Sequence, residues 1–309
     1  MTVDGEHHDV VVVGAGAAGV SCALECFDVK LDVLLLEAGD AVGGQLPEIA
    51  HRARNVAFNP YADGRTLRHE LERSVAILGD RLRLASPVSR AGLDERWVEV
   101  HGRRIAADAI VVATGSARQE LPAAPDGACG GDVTYQVESD PDRFAGRDVV
   151  VIGGGDSATL EALELAQKGS SVTLVHRSET LTARRDILRD VAAEPRITDL
   201  PGWELEAVRG TDRLDEVVLV RRTSGERRTV AAGGVVVKIS RVPRTDVFRG
   251  QLELDAHGAV VVDGDLRTSR HGVFAAGDVV SGAYWRVATA LGHGSLAARS
   301  VLRHLQGAS

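Results

Sequence analysis

The feature that most constrains this chain is a glycine-rich turn that occurs twice, each time between an apolar run and a helix-like stretch. Asp9 to Gly19 reads DVVVVGAGAAG, and Asp148 to Ala158 reads DVVVIGGGDSA. A β-branched run entering such a spacing reads as a buried strand that ends in a tight turn. The helix beginning there aims the positive end of its dipole at the turn, which suits a pyrophosphate. Each unit continues into a second apolar run, Leu31 to Glu37 (LDVLLLE) and Ser171 to His176 (SVTLVH). Two such βαβ units predict an α/β fold with two Rossmann-like, doubly wound dinucleotide-binding domains.

The first turn, Gly14-Ala15-Gly16-Ala17-Ala18-Gly19, fits G-x-G-x-x-G throughout. Gly14 permits the turn, Gly16 lets backbone approach a pyrophosphate, and Gly19 lets helix and strand pack closely. Glu37 closes the second strand, where a carboxylate can accept from both hydroxyls of an unphosphorylated adenine ribose. Near the other end of the sequence, Gly272 to Asp278 reads GVFAAGD, a strand running into Gly277 and Asp278. An acid there can bind the ribityl hydroxyls of a flavin or cap a helix. Glu37 and Asp278 together point to FAD.

The second turn, Gly153-Gly154-Gly155-Asp156-Ser157-Ala158, has Ala in place of the third glycine. Its second strand ends in His176-Arg177 rather than an acid. A carboxylate there would repel a 2′-phosphate and a cation would attract it, so this site leans towards NADPH, with NADH left open. Lys30, Lys168 and Lys238 are the only lysines among 36 basic residues, so a single arginine is weak evidence of a site. Lys238 interrupts the apolar run VVVKIS, where it is expected to snorkel outward.

Ala109 to Gly115 (AIVVATG) is a further strand, and the stretch LPAAPDGACGGD that follows reads as a linker. A second break falls near Pro243. The FAD domain is therefore expected at residues 1–117 and 245–309, with the NAD(P)H domain, 118–244, inserted in it.

A net charge of −8 argues against a nucleic-acid partner. No apolar run is long enough for a membrane span, and no signal-peptide pattern opens the chain, so a cytoplasmic location is expected. The three cysteines, Cys22, Cys26 and Cys129, suggest no disulfide framework, form no CxxC and accompany no metal motif. Cys22 and Cys26 read as small buried hydrophobes on the first helix.

The motifs GAGAAG, EAGDAVGGQL, VVATGS, VIGGGDSA, VHR, FRGQLELDAHG and GVFAAGD, in that order from Val10 to Leu305, resemble the low-molecular-weight thioredoxin reductases. The resemblance implies a homodimer. It places Gly14, Gly16, Ala17, Ala18, Gly19, Glu37, Gly44, Gln45, Thr114, Gly115, Gly277, Asp278, Arg286 and Val287 along FAD. It places Gly153, Gly155, Asp156, Ser157, Ala158, His176 and Arg177 along NADPH, and assigns no catalytic side chain beyond the flavin.

The chain departs from this family in several places. Gln136-Val137-Glu138-Ser139 stands where the family carries its redox-active CxxC. Tyr284-Trp285-Arg286-Val287 replaces the usual Tyr-Arg-Gln-Ala beside the flavin; Arg286 either tunes the flavin or points to solvent. Ser178 and Thr182 occupy places where arginines are usual, with Arg184 and Arg185 close by.

Loss of CxxC leaves hydride transfer from NADPH to flavin and an open question of acceptor. The precedent is a thioredoxin-reductase-like ferredoxin/flavodoxin–NADP reductase, similar around TYQVESDPDRFAGRDVVVIGGGDSA. Arg52, Arg54, Arg184 and Arg185 could offset the negative charge locally for an acidic ferredoxin. The alternatives are a flavin oxidoreductase acting on a small molecule, biosynthetic or thiol/disulfide, and a redox-silent nucleotide-binding flavoprotein.

Overall fold

A computed structural model describes residues 6–49, 56, 63–137, 140 and 142–307. The chain divides into two compact units, one comprising 1–117 and 242–309, the other 118–241.

The first unit opens with β1 (Glu6–Val13), α1 (Ala17–Asp28) and β2 (Val33–Leu36). It continues through α2 (Gly64–Val75), β3 (Leu82–Arg83), β4 (Val88–Gly92), β5 (Trp97–Val100), β6 (Arg103–Val112) and β7 (Ser116–Arg118). The second unit holds a single turn α3 (Ala128–Gly131), β8 (Val133–Thr134), β9 (Asp148–Ile152), α4 (Asp156–Gln167) and β10 (Ser171–His176). Next come α5 (Arg185–Ala193), β11 (Ile197–Pro201), β12 (Trp203–Gly210), β13 (Leu214–Arg221), β14 (Arg227–Ala231) and β15 (Gly234–Val237). The chain returns through β16 (Arg241–Pro243), which pairs with β7, and completes the first unit with β17 (Val273–Ala275) and α6 (Val287–Leu305).

In the first unit the sheet runs β3-β2-β1-β6-β5-β4, with β17 also pairing to β6. The pairs β1–β2, β1–β6 and β17–β6 are parallel. Alternation along β1 explains its four valines. Val10 and Val12 enter one apolar cluster with α1 and α6, while Val11 and Val13 enter another on the opposite face. A strand buried on both faces wants an unbroken apolar run rather than an alternating one. Each fully buried Val or Leu contributes roughly 1.5–3 kcal/mol of transfer free energy, before the cost of ordering the chain.

The second unit repeats this scheme with a parallel sheet in the order β11-β10-β9-β15-β8. An antiparallel meander, β12-β13-β14, forms a separate sheet. Along β13 the run Val217–Leu219 is buried, and Val217 and Leu219 lie in the same cluster as Trp203.

Two expectations are corrected here. The stretch Leu121–Asp132 is packed, not a loose linker. Ala124 is fully buried, the Tyr135 hydroxyl donates to its carbonyl at 3.1 Å, and the Leu121 N–H donates to that hydroxyl at 2.7 Å. The return crossing falls at 241/242 rather than 244/245. The Arg244 N–H donates to the Gly115 carbonyl and its own carbonyl accepts from Thr114 Oγ1 at 2.7 Å, which ties Arg244 to the first unit.

Candidate functional site

In the first unit the turn after β1 is fixed by sterics. Gly14 has φ +106°, and a Cβ on Gly19 would collide with the Gly14 carbonyl oxygen. Gly16 is the opposite case: a Cβ there meets nothing within 4 Å, so the space over the turn is open. Helix α1 begins on Gly16 with no side-chain cap, whereas α2 is capped by Asp63, which accepts from the Thr66 N–H at 2.8 Å. An uncapped helix start facing open space is where a phosphate group can accept from backbone N–H groups.

The other sequence-predicted residues converge on this turn. Glu37 accepts from the Ala15 N–H at 2.8 Å through one oxygen and from the Gly39 N–H at 2.9 Å through the other. Each oxygen keeps a second lone-pair direction, as a ribose diol requires. A Cβ on Gly44 would lie 3.4 Å from the Gly16 Cα. Gln45 donates from Nε2 to Asp278 Oδ2 at 3.2 Å and to Ser116 Oγ at 3.1 Å. Gly115 adjoins the same Gln45 amide, 3.4 Å from its would-be Cβ. A Cβ on Gly277 would stand 2.8 Å from Ala18 Cβ on α1. Fold topology thus gathers segments near residues 15, 37, 45, 115 and 278 around one turn.

Three more of the predicted residues make contacts of their own. Thr114 is engaged with the Arg244 carbonyl. Val287 packs beside Leu46 and Leu67 in a small apolar cluster. Arg286 stacks on the Tyr284 ring at 4.5 Å and donates to the Trp285 carbonyl at 3.0 Å.

Two further residues join this site, Ser116 from the end of the VVATGS motif and His293 from no motif. Ser116 is buried and accepts from Gln45. His293, on α6, accepts at Nδ1 from the Gly277 N–H at 3.3 Å. Burial pushes His293 below the usual imidazole range, against the opposing pull of Asp278. An acceptor at Nδ1 requires the neutral ring with its proton on Nε2. The lone sequence signal for His293 is a histidine on an otherwise small-residue helix face.

In the second unit Gly153 has φ +141°, and a Cβ there would overlap the Lys238 carbonyl oxygen. Helix α4 starts on Gly155 with no side-chain cap, and the nearest atom to a Cβ on Gly155 is Thr182 Oγ1 at 4.0 Å. Thr182 donates to the Gly154 carbonyl from its N–H at 2.8 Å and from Oγ1 at 3.2 Å. The Arg184 N–H donates to Asp156 Oδ1 at 2.9 Å. The segment carrying exposed Arg184 and Arg185 is therefore fastened to the turn. Ser157 and Ala158 lie in the first turn of α4, Ala158 fully buried.

His176 and Arg177 separate in role. Arg177 is exposed. The His176 side chain is 3% exposed, and its Nε2 lies 2.9 Å from Asp199 Oδ1 on β11. Its Nδ1 is buried without a partner, and its Cβ lies 3.0 Å from a Cβ built on Gly154. His176 underpins the turn and carries an unsatisfied ring nitrogen beside it, a feature that fits a bound nucleotide. The exposed cation of the pair is Arg177.

Lys238 does not snorkel outward. Its Nζ lies 3.2 Å from Glu161 Oε2, with side-chain exposures of 12% and 5%. Where the family's CxxC would fall, Gln136 is exposed and Val137 is buried among α4 and β9 residues; Glu138 and Ser139 lie outside the described residues. Arg52 and Arg54 lie outside them too. Cys22 and Cys26 are fully buried, and contact with Cys26 together with burial holds the Cys22 thiol well above its usual range. No group of three His, Cys, Asp or Glu suited to a metal occurs among the described residues. No helix among them is long and apolar enough to cross a membrane.

Two uncapped glycine turns, each between parallel strands, define a protein built to hold two dinucleotides. A family model for pyridine nucleotide-disulphide oxidoreductases matches residues 8–294, and the chain belongs to that family. It is 32% identical over 301 residues to the thioredoxin reductase of Streptomyces clavuligerus, covering 96% of this chain and 94% of that protein. It is 28% identical over 302 residues to the 34.2 kDa protein in the rubredoxin operon of Clostridium pasteurianum, covering 97% of each. The solved thioredoxin reductase of Lactococcus lactis superposes with a TM-score of 0.86 at 28% identity, covering 97% of this chain and 99% of that one. Thioredoxin-reductase-like members of the family bind FAD and NADPH and are flavin-dependent oxidoreductases.

Proposed function

We propose that this chain is an FAD-dependent NADPH oxidoreductase that delivers electrons to a small redox protein of the ferredoxin or flavodoxin kind without a CxxC of its own. The observation that carries the reading is a complete pair of dinucleotide turns in a chain whose three cysteines form no vicinal pair. Bound FAD would supply the chemistry, acceptance of hydride from the nicotinamide and onward transfer of electrons to the acceptor. The protein binds, orients and shields. The α1 N-terminus and Gly16 take the FAD pyrophosphate, Glu37 the adenine ribose, and Gln45 with Asp278 the ribityl chain. The α4 N-terminus with Gly153 and Gly155 takes the nucleotide pyrophosphate, and Arg177 its 2′-phosphate. The similarity to a protein of a rubredoxin operon favours a small redox partner. A cytoplasmic homodimer that engages neither membrane nor nucleic acid completes the proposal.

Anaerobic titration with NADPH and NADH tests it. Stoichiometric bleaching of the flavin absorbance by NADPH is expected, followed by ferredoxin- or flavodoxin-dependent reduction of cytochrome c. No bleaching by either nucleotide sinks the enzyme reading and leaves a redox-silent flavoprotein. Bleaching without dependence on a protein acceptor leaves a small-molecule oxidoreductase.

Two variants sharpen this. Arg177→Ala is expected to raise the NADPH KM about tenfold, the worth of a charge-assisted contact to phosphate, with the NADH KM within about twofold. Equal effects on both would remove Arg177 from the 2′-phosphate. Cys129 is half-buried, and burial, then Asp132 and Asp215, raise its thiol, so little thiolate forms at neutral pH. Cys129→Ser is expected to leave NADPH-dependent acceptor reduction within about twofold. Loss of turnover would restore a thiol to the reaction.

A further inference from the structure

Strand β9 lies between β10 and β15. The chain leaves β9 through α4 to β10 on one side, while β15 borders it on the other. The crevice at the carboxyl ends of β9 and β15 is therefore the switch point of this sheet, where a ligand lies across the strand ends. Arg177, at the end of β10, marks the adenosine side, and the pyrophosphate belongs at the α4 N-terminus. The other half of a dinucleotide must then run past β9 to the end of β15.

Lys238 is the first residue past β15. Its N–H donates to the Ile152 carbonyl at 2.8 Å, level with Gly153. Val235 and Val237 pack on one face of the sheet, and Val236 packs on the other with Ala158 and Ala162 of α4. Alternation puts Lys238 on the face of Val236, where Glu161 meets it at 3.2 Å. Two apolar residues of similar volume would stabilise such a place at least as well as a buried ion pair. A cationic donor beside an anionic acceptor matches the nicotinamide carboxamide, which offers one C=O acceptor and an NH2 donor.

We propose that Lys238, aimed by Glu161, binds the nicotinamide half of the nucleotide, donating to the carboxamide oxygen while Glu161 accepts from its NH2. The assignment rests on the NADPH reading of the second turn.

Equilibrium binding to the oxidised holoenzyme, read calorimetrically, tests it without turnover. Lys238→Met is expected to weaken NADP+ about tenfold or more and to leave 2′,5′-ADP, which lacks the nicotinamide half, within about twofold. Lys238→Arg should recover most of the NADP+ affinity. Unchanged NADP+ binding by Lys238→Met, or equal weakening of both ligands, overturns the assignment. The wild-type protein supplies a test independent of folding. The 3-acetylpyridine analogue of NADP+, whose methyl group replaces the amide NH2, should bind about tenfold more weakly than NADP+; equal affinity overturns the proposal. Wild-type protein that binds neither NADP+ nor 2′,5′-ADP refutes the NADPH reading itself, and this assignment falls with it.

Discussion

Gly19→Val is expected to leave the purified protein with less than about a tenth of its flavin. The cause is a collision that has no easy relief. A Cβ at Gly19 meets the Gly14 carbonyl oxygen head-on, with Gly14 C at 3.0 Å and Ala113 Cβ at 3.3 Å behind it. All three are backbone or core atoms. Helix α1 cannot retreat on its far side, because it packs there on α6 at a second close approach. A Cβ on Gly294 would lie 2.7 Å from Ser21 Cβ and 2.9 Å from the Cys22 nitrogen. The helix is thus wedged between a turn and a neighbour. Overpacking of this sort costs roughly 1–3 kcal/mol when side chains can yield, and more when backbone must move. That is a large part of the roughly 5–15 kcal/mol that holds a domain together. Even a partial shift would misdirect the α1 N-terminus and loosen the Glu37 to Ala15 bond. The ratio of flavin to protein absorbance and a thermal melt measure both effects. Full flavin content with an unchanged Tm would show that α1 can slide, and the close-packing argument would fail.

The sequence carried this part of the molecule well because its constraints are local. A turn that only glycine can make, a valine run buried on both faces and an acid at a strand end each announce themselves within a few residues. Convergence of Gln45 and Asp278 was also legible, through ordered motifs rather than through physics, since nothing local links residues 233 positions apart. What stayed hidden depends on pairing between elements. His176 reads as a cation for phosphate until β11 pairs with β10 and brings Asp199 beneath it. Lys238 reads as a snorkelling lysine until α4 covers its face and presents Glu161. Ser116 closes the VVATGS motif without a role legible there, and His293 belongs to no motif; each makes a hydrogen bond that the tertiary fold supplies. The packed stretch around Ala124 shows the same limit, because proline and glycine signal a turn but not what the turn is buried against.

Gly153→Val should produce the complementary defect: flavin retained, reduction by NADPH lost. The substitution touches only the second unit. At φ +141° a valine must adopt backbone that β-branched residues avoid, a strain of about 1–3 kcal/mol. Its Cβ would also overlap the Lys238 carbonyl oxygen, with Lys238 C at 2.9 Å and Ala158 Cβ at 3.0 Å. The chain can relieve both only by turning the Gly153–Gly155 segment out of its path. That displaces the α4 N-terminus, which has no side-chain cap to substitute for a phosphate. It also moves Gly154, whose carbonyl accepts from Thr182 and so anchors the segment bearing Arg184. Phosphate contact and arginine placement then fail together, and the losses multiply. The flavin-bleaching rate at fixed NADPH is expected to fall by about 100-fold or more, as loss of two charge-assisted contacts predicts. The flavin-to-protein absorbance ratio should match wild type, since the first turn, Glu37, Gln45 and Asp278 are untouched. Bleaching at the wild-type rate would mean that hydride reaches the flavin without this turn, and the second unit would lose its assigned role.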